Sequence, residues 1–292
     1  MKVIIITGQT ATGKTKYALK LAKDNNGELI NCDSRQIYKG LDIITGKDRS
    51  KDTKIWLYDI VDPKQYFSSY DYVSCVISVI KDIISRGKTP IIVGGTYFYL
   101  YHLLYDIATQ NIKPDWKLRN NLNNKSVPEL QKMYQDLDLQ SFQRLNNSDK
   151  NNPQRLIRKI EILKTSSSVP LTSFLIPKKI ALSKKLEMDI QIEYLGFYYK
   201  NTSDLLIHIK DRVEKRIKNK GIEEVKKLIK EGYTTDDPGL KTIGYREIIE
   251  YVKGKITKKQ AAENWISKEM QYAKRQYTFI KKDFHITWTI VR

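Results

Sequence analysis

The 292-residue sequence predicts an α/β fold, a P-loop NTPase-like parallel sheet flanked by helices with a small all-helical insertion domain. Three observations point there. An apolar run, Val3-Ile4-Ile5-Ile6, leads into the glycine loop GQTATGKT (residues 8–15) and then into a helical pattern. Over the first hundred residues, runs of four to six apolar residues alternate with helical periodicity. From residue 113 to 180 the strand-like runs stop.

The elements follow in order. Residues 3–6 read as the first strand and 14–22 as the helix after the loop. Short strands follow at 29–32, 55–60 and 89–93, with a helix at 72–85 and a Gly94-Gly95 pair closing the fourth strand. Short apolar strands separated by helices are parallel strands covered on both faces, because a parallel connection needs a crossover. The stretch 113–180, rich in Asn, Gln, Lys and Ser, shows helical patterns at 117–123, 128–137 and 154–164, and one low-complexity patch at 166–168. A strand pattern returns at 190–197, followed by helices at 204–218, 222–231, 245–252 and 258–281 and a last strand at 286–290. The predicted organisation is therefore a first part of the core (1–112), a helical insertion (113–180), and core completion with C-terminal helices (181–292).

Lys and Arg outnumber Asp and Glu by 52 to 33, a formal charge of +19. Such a surplus points to a polyanionic partner, since each phosphate contacted releases condensed counterions; the alternative is a general excess of solvated lysine. Cys32 and Cys75 make no CxxC pair and no zinc spacing, which reads as a reducing compartment. The first apolar run is far short of a signal peptide or of the ~18 residues of a membrane span, so the expected location is cytoplasmic, with no membrane partner.

The loop Gly-x-x-x-x-Gly-Lys-Thr, between strand and helix, is built for phosphates. Backbone amides and the helix N-terminus face the anion, Lys14 adds a point charge, and Thr15 offers a hydroxyl to Mg²⁺. It predicts a bound di- or triphosphate without saying which. Asp33 in NCDSRQIY ends the second strand, where a doubly wound sheet lines its ligand crevice. It reads either as a metal-holding or basic carboxylate or as a cap for the next turn. The fourth strand ends in two glycines and Thr96, which lets a ligand approach the backbone. Basic runs with aromatics, NNPQRLIRK (151–159), KTIGYRE (241–247) and QYAKRQYTF (271–279), offer phosphate contacts; Tyr245, Tyr272 and Tyr277 offer surfaces for unstacked bases, or each run is a solvated helix face.

Taken together, GQTATGKT, NCDSRQIYKGLDI, LYDIVDP, PIIVGGTYFY, KPDWKLR, NPQRLIRKIEI, KTIGYREI and AKRQYTF resemble, in order and spacing, the tRNA dimethylallyltransferase (tRNA isopentenyltransferase) family. The resemblance implies transfer of a dimethylallyl group from dimethylallyl diphosphate to N6 of adenosine 37 in the anticodon stem-loop of tRNA, by a monomer using Mg²⁺. It implies that Gly8, Thr10, Ala11, Thr12, Gly13, Lys14 and Thr15 bind the diphosphate, with Thr15 on the metal. Asp33 would take the N6 proton, with Thr96 beside it as a catalytic partner. Asp33, Ser34, Arg35, Gln36, Thr96, Arg119, Gln154, Arg155, Arg158, Lys241, Gly244, Tyr245, Arg246, Lys274 and Arg275 would contact tRNA. The chain departs from the family pattern at Gln9 (usually Pro), in the loop of residues 44–48, at Asn152, at Thr202 and Met270 (both usually Arg) and at Phe279 (usually Trp). Lys200 is the nearby charge expected to stand in for the arginine lost at Thr202. Two alternatives stay open at this level: a P-loop nucleotide or nucleoside kinase, and a prenyltransferase acting on free adenine nucleotides.

Overall fold

The computed structural model describes residues 1–50, 52–107, 109, 112–165 and 177–291. In chain order the elements are β1 (Lys2–Gly8), α1 (Lys14–Asp24), β2 (Gly27–Asn31), β3 (Ile55–Trp56), α2 (Ser69–Ser85), β4 (Thr89–Val93) and α3 (Tyr97–Leu104). Then come α4 (Trp116–Asn123), α5 (Val127–Leu137), α6 (Leu139–Gln143), α7 (Asn147–Lys150), α8 (Pro153–Thr165) and α9 (Leu182–Leu186). The chain continues with β5 (Gln191–Tyr199), α10 (Thr202–Arg216), a π turn (Ile217–Gly221), α11 (Ile222–Lys230), α12 (Tyr245–Val252), α13 (Lys258–Ile280) and β6 (Thr287–Val291). It forms two compact units, Met1–Leu104 with Ala181–Arg292, and Tyr105–Ile180.

The first unit is built on a six-stranded sheet, order β3-β2-β4-β1-β5-β6, parallel at every pairing. β1 is central because Val3, Ile4, Ile5 and Ile6 are all fully buried, which only a strand covered on both faces allows. Its register, Ile6 opposite Val93 and Gly8 opposite Phe197, brings the carboxyl ends of β1, β4 and β5 to one edge, and Asn31 of β2 lies opposite Val93 as well. A second core packs Trp265, Tyr245, Ile248, Val225 and Ile209 among the C-terminal helices.

Three differences from the sequence reading in the first unit have a cause in the backbone or in burial. The strand expected at 55–60 is cut to two residues because Leu57 (φ 66°) and Asp59 (φ 57°) leave the extended region. α3 is not foreseen in the sequence: six of its eight residues are buried, so it has no polar face and no readable period. α10 ends two residues early, in the π turn, where Lys220 adopts φ 70°.

The second unit packs Leu122, Leu130, Tyr134, Phe142, Leu156, Ile157 and Ile160. Its helices start on chemistry visible in the sequence: Asp115 accepts the Leu118 amide, and Ser126 and Glu129 form a capping box with Pro128 in the first turn. α6 and α7, of five and four residues, are too short to show a period. The patch at 166–168 lies outside the described residues. Among the described residues, no helix is long and apolar enough to cross a membrane.

Candidate active site

The loop between β1 and α1 is shaped by backbone conformation. Gly8 (φ 130°) passes so close to β5 that a Cβ would sit 2.0 Å from the Phe197 carbonyl oxygen. Ala11 (φ 62°) and Gly13 (φ 76°) turn the chain, and the space beside Gly13 is open. α1 starts at Gly13 with no side-chain cap, so its first amides are available to an anion. Thr12 Oγ1 donates to the Gln9 carbonyl at 2.8 Å, and the Tyr199 hydroxyl donates to the Ala11 carbonyl at 2.9 Å.

Cations converge on this loop. Lys14 donates to the Gln9 carbonyl and, at 3.3 Å, to Thr12 Oγ1. Burial, and then the charge of Arg212, lower its pKa to about 7, with Asp33 opposing the shift. Arg212, on α10, donates to Thr10 Oγ1. One turn on, the buried Arg216 donates to the Thr45 carbonyl at 2.9 Å and lies 3.5 Å from Glu269. Burial and Arg212 disfavour its charge, and Glu269 and Asp33 offset part of that cost.

The acceptor side is the turn after β2. Asp33 Oδ1 accepts the Arg35 amide at 2.8 Å, while Asn31 Oδ1 accepts the Asp33 amide at 3.0 Å. The turn-capping expectation for Asp33 is thus met through Oδ1. Thr96 Oγ1 accepts the Ser34 amide at 2.9 Å and donates to Ser34 Oγ at 3.3 Å, and its own amide donates to the Cys32 carbonyl at 3.1 Å. Tyr272, on α13, is half-buried, and burial and then the charge of Asp33 push its phenol well up, so it stays protonated. The Gly94-Gly95 pair, expected to let a ligand approach, is filled by the protein instead. A Cβ on Gly94 would meet the Cys32 carbonyl at 2.1 Å, and one on Gly95 would meet Gln276 Nε2 at 2.3 Å.

The residues expected on tRNA separate into two groups. Arg35, Lys241, Arg246, Lys274 and Arg275 are exposed in the first unit, as are Gln154 and Arg155 in the second, where Arg155 pairs with Asp149 at 2.5 Å. Tyr245 is corrected: it is fully buried, with its hydroxyl on Glu224, and offers no face to a base. Gly244 is corrected likewise, since a Cβ there would strike Ile44 and Trp265 at 2.6 Å, so its role is packing. The Gln36 amide turns inward and donates to the Thr45 and Gly46 carbonyls. Arg119 and Arg158 both bind the fully buried Glu161, and Arg158 also donates to the carbonyls of Thr109 and Ile112, which makes them a structural node of the insertion. Burial alone would raise the Glu161 carboxyl, but hydrogen bonds from both arginines hold it below its ordinary value. Tyr277 stacks on Tyr198 at 5.0 Å.

Lys200 is exposed at the end of β5, and the charge that reaches the loop is Arg212, which sequence reasoning passed over. The signal was there: Ile209, Arg212, Val213 and Arg216 recur at helical spacing, so two arginines ride on the apolar stripe of α10.

The donor set suits Mg²⁺. Among the described residues no cluster of three or more His, Cys, Asp or Glu side chains could hold a metal by itself. Mg²⁺ keeps several waters and binds through one or two protein oxygens plus phosphate oxygens, and the Thr15 hydroxyl is the protein oxygen that the loop can supply.

The family model described as IPP transferase matches residues 36–283. The tRNA dimethylallyltransferase of Anoxybacillus flavithermus is 36% identical over 290 residues, spanning 98% of this chain and 89% of the relative. That of Thermoanaerobacter sp. is 33% identical over 298 residues, spanning 100% and 92%. The crystal structure of tRNA isopentenylpyrophosphate transferase from Bacillus halodurans superposes with a TM-score of 0.69 at 29% identity, covering 99% of this chain and 90% of that one. A eukaryotic dimethylallyltransferase acting on tRNA shares the fold, with a TM-score of 0.73 at 24% identity and coverage of 99% and 74%. The matched family stretch begins after the phosphate loop and Asp33; the full-length relatives span both.

Proposed function

The chain belongs to the IPP transferase family, and on that premise we propose that it is a transferase moving a dimethylallyl group from dimethylallyl diphosphate to N6 of adenosine 37 in tRNA. The observation that carries this reading is the pairing of two opposite sites at one sheet edge. Lys14 and Arg212 bond to the loop after β1, and Asp33 stands in the turn after β2, whose carboxyl end lies at the same sheet edge. Phosphoryl transfer also sets a carboxylate beside its acceptor, so the choice of a carbon group over phosphorus rests on the family relationship.

The chemistry follows from that arrangement. Loop amides, Lys14 and Arg212 bind the diphosphate and stabilise the charge that it gathers as it leaves. The allylic C–O bond breaks with its electron pair going to the diphosphate, the C–N bond forms, and Asp33 takes the N6 proton. The exocyclic amine is a poor nucleophile, so a positioned carboxylate contributes on the order of 10²–10⁴-fold. Mg²⁺, held by Thr15 and the diphosphate, would add charge neutralisation at the leaving group. The adenine leaves the anticodon stack to reach the pocket. The exposed Arg35, Lys274 and Arg275, and separately Gln154 and Arg155 of the insertion, are proposed to meet tRNA phosphates.

The test is direct. Incubation with dimethylallyl diphosphate, Mg²⁺ and unmodified tRNA should add one dimethylallyl mass at A37. Calorimetry showing tight ATP binding and none of dimethylallyl diphosphate would return the chain to the kinase reading.

A further inference from the structure

We propose that Gln276 is a positioning residue whose side-chain amide sets the phosphate loop at a fixed separation from the acceptor turn. Its Oε1 accepts the Thr10 amide at 2.9 Å and its Nε2 donates to the Gly95 carbonyl at 2.9 Å. One end of a single planar group thus holds the donor loop and the other holds the residue before Thr96. Thr96 then grips the Ser34 amide, next to Asp33. Three links run from the leaving-group site to the base, all through groups that are buried or half-buried.

Two further features tighten the span. Gly95 leaves no room for a side chain, because Gln276 occupies the place of its Cβ. Gln9 returns its side chain to the same helix. Its Nε2 reaches the Ala273 carbonyl at 3.5 Å, and its Oε1 accepts the Tyr199 amide at 2.8 Å. α13 therefore holds the opening of the loop at two successive residues, Gln9 and Thr10. Gln276 is 7% exposed, so neither of its bonds is easily replaced by water. The amide is matched to this task because it offers one acceptor and one donor on opposite sides. In-line transfer needs the reacting carbon and the amine near contact distance, and a misplacement of about 1 Å costs on the order of 10²-fold.

The inference rests on the prenyl-transfer reading, and Gln276→Glu separates the two. As a carboxylate, the substituted side chain accepts from Thr10 but faces the Gly95 carbonyl with no proton. As a neutral acid it again has one donor and one acceptor. A buried carboxyl facing a carbonyl has a raised pKa, so protonation should restore the link within an accessible range. Single-turnover transfer at saturating substrates should fall about 10²-fold at pH 8.5 and recover to within about fivefold of the parent at pH 6, with dimethylallyl diphosphate and tRNA affinities each within about threefold. Gln276→Leu should be slow at every pH. A variant-to-parent ratio that is constant across pH, or a rate loss matched by an equal loss of diphosphate binding, overturns the positioning role. A parent that transfers nothing overturns the prenyl-transfer reading and this inference with it.

Discussion

Lys14 provides the sharpest quantitative test, because its free-state pKa of about 7 lies far below the ordinary lysine value. Burial, and then Arg212, push the proton off; a bound diphosphate reverses the balance, since an opposite charge within a few ångströms favours the ammonium. Binding should therefore take up a proton. At pH 8 a group with pKa about 7 is roughly nine-tenths neutral, so uptake should approach about 0.9 proton, falling to about 0.5 at pH 7. The sign is fixed: the favourable form is present below pH 7 and is lost as pH rises, so affinity weakens upward. The apparent Kd should rise about tenfold from pH 8 to 9 and about fiftyfold from pH 7 to 9. The ligand's own last phosphate proton, with a pKa of about 6, does not confuse this window. Calorimetry of dimethylallyl diphosphate in two buffers of different ionisation enthalpy reads the proton count directly, and Lys14→Met should flatten both trends. Uptake below about 0.2 proton at pH 8, or a Kd indifferent to pH between 7 and 9, would refute the convergence of buried charge on the loop.

Other expectations follow from the same geometry. Asp33→Ala should slow single-turnover transfer on the order of 10²–10⁴-fold with tRNA affinity retained, and a near-parental rate would remove it as the base. Arg212→Met should weaken diphosphate binding about tenfold to a hundredfold, the loss of a charge-assisted bond of about 1.5–3 kcal/mol, measured by calorimetry at pH 7. Arg155→Ala should lower tRNA affinity and flatten its salt slope by about one unit in a filter-binding titration. Arg158→Ala should instead lower unfolding free energy by about 1–3 kcal/mol in a urea titration, because it strips a partner from the buried Glu161 carboxylate.

The parts of the site legible in the sequence are those coded locally. A strand, a Gly-x-x-x-x-Gly-Lys-Thr loop and a helix follow one another within 24 residues, and each carries its own signal. Asp33 is visible for the same reason, one step past a short apolar strand. What escapes depends on distant partners. That Arg212 meets Thr10, 202 positions away, depends on how α10 lies on β5, which no local pattern states. Tyr245 and Arg158 sit in stretches that look like basic, aromatic RNA-binding runs, yet Tyr245 is buried with its hydroxyl on Glu224, and the half-buried Arg158 is already paired with Glu161. Residue type predicts what a side chain can do; only its neighbours decide whether the charge is already spent. The Gly94-Gly95 pair teaches the same lesson, since the space that glycine opens is taken by Cys32 and Gln276.

The two missing arginines have a structural account of the same kind. Thr202 on α10 and Met270 on α13 line one groove of ≈ 520 Å³, together with Leu206, Ile266, Lys210 and Lys274. Two arginines side by side there would need a carboxylate or a bound phosphate, and the groove offers Glu263 alone among acids. Replacing both with uncharged side chains removes a repulsion as well as a contact. From the same helix Arg212 donates to Thr10 of the phosphate loop, while Arg216 donates to the Thr45 carbonyl and is held by Glu269, next to Met270. On the proposed function, α10 still supplies a cation to the diphosphate loop through Arg212, two to three turns beyond Thr202. On this account, restoring arginine at Thr202 alone should leave diphosphate affinity within about twofold, whereas removing Arg212 should not. A Thr202→Arg variant that binds dimethylallyl diphosphate ten times more tightly would show instead that the helix start still reaches the ligand.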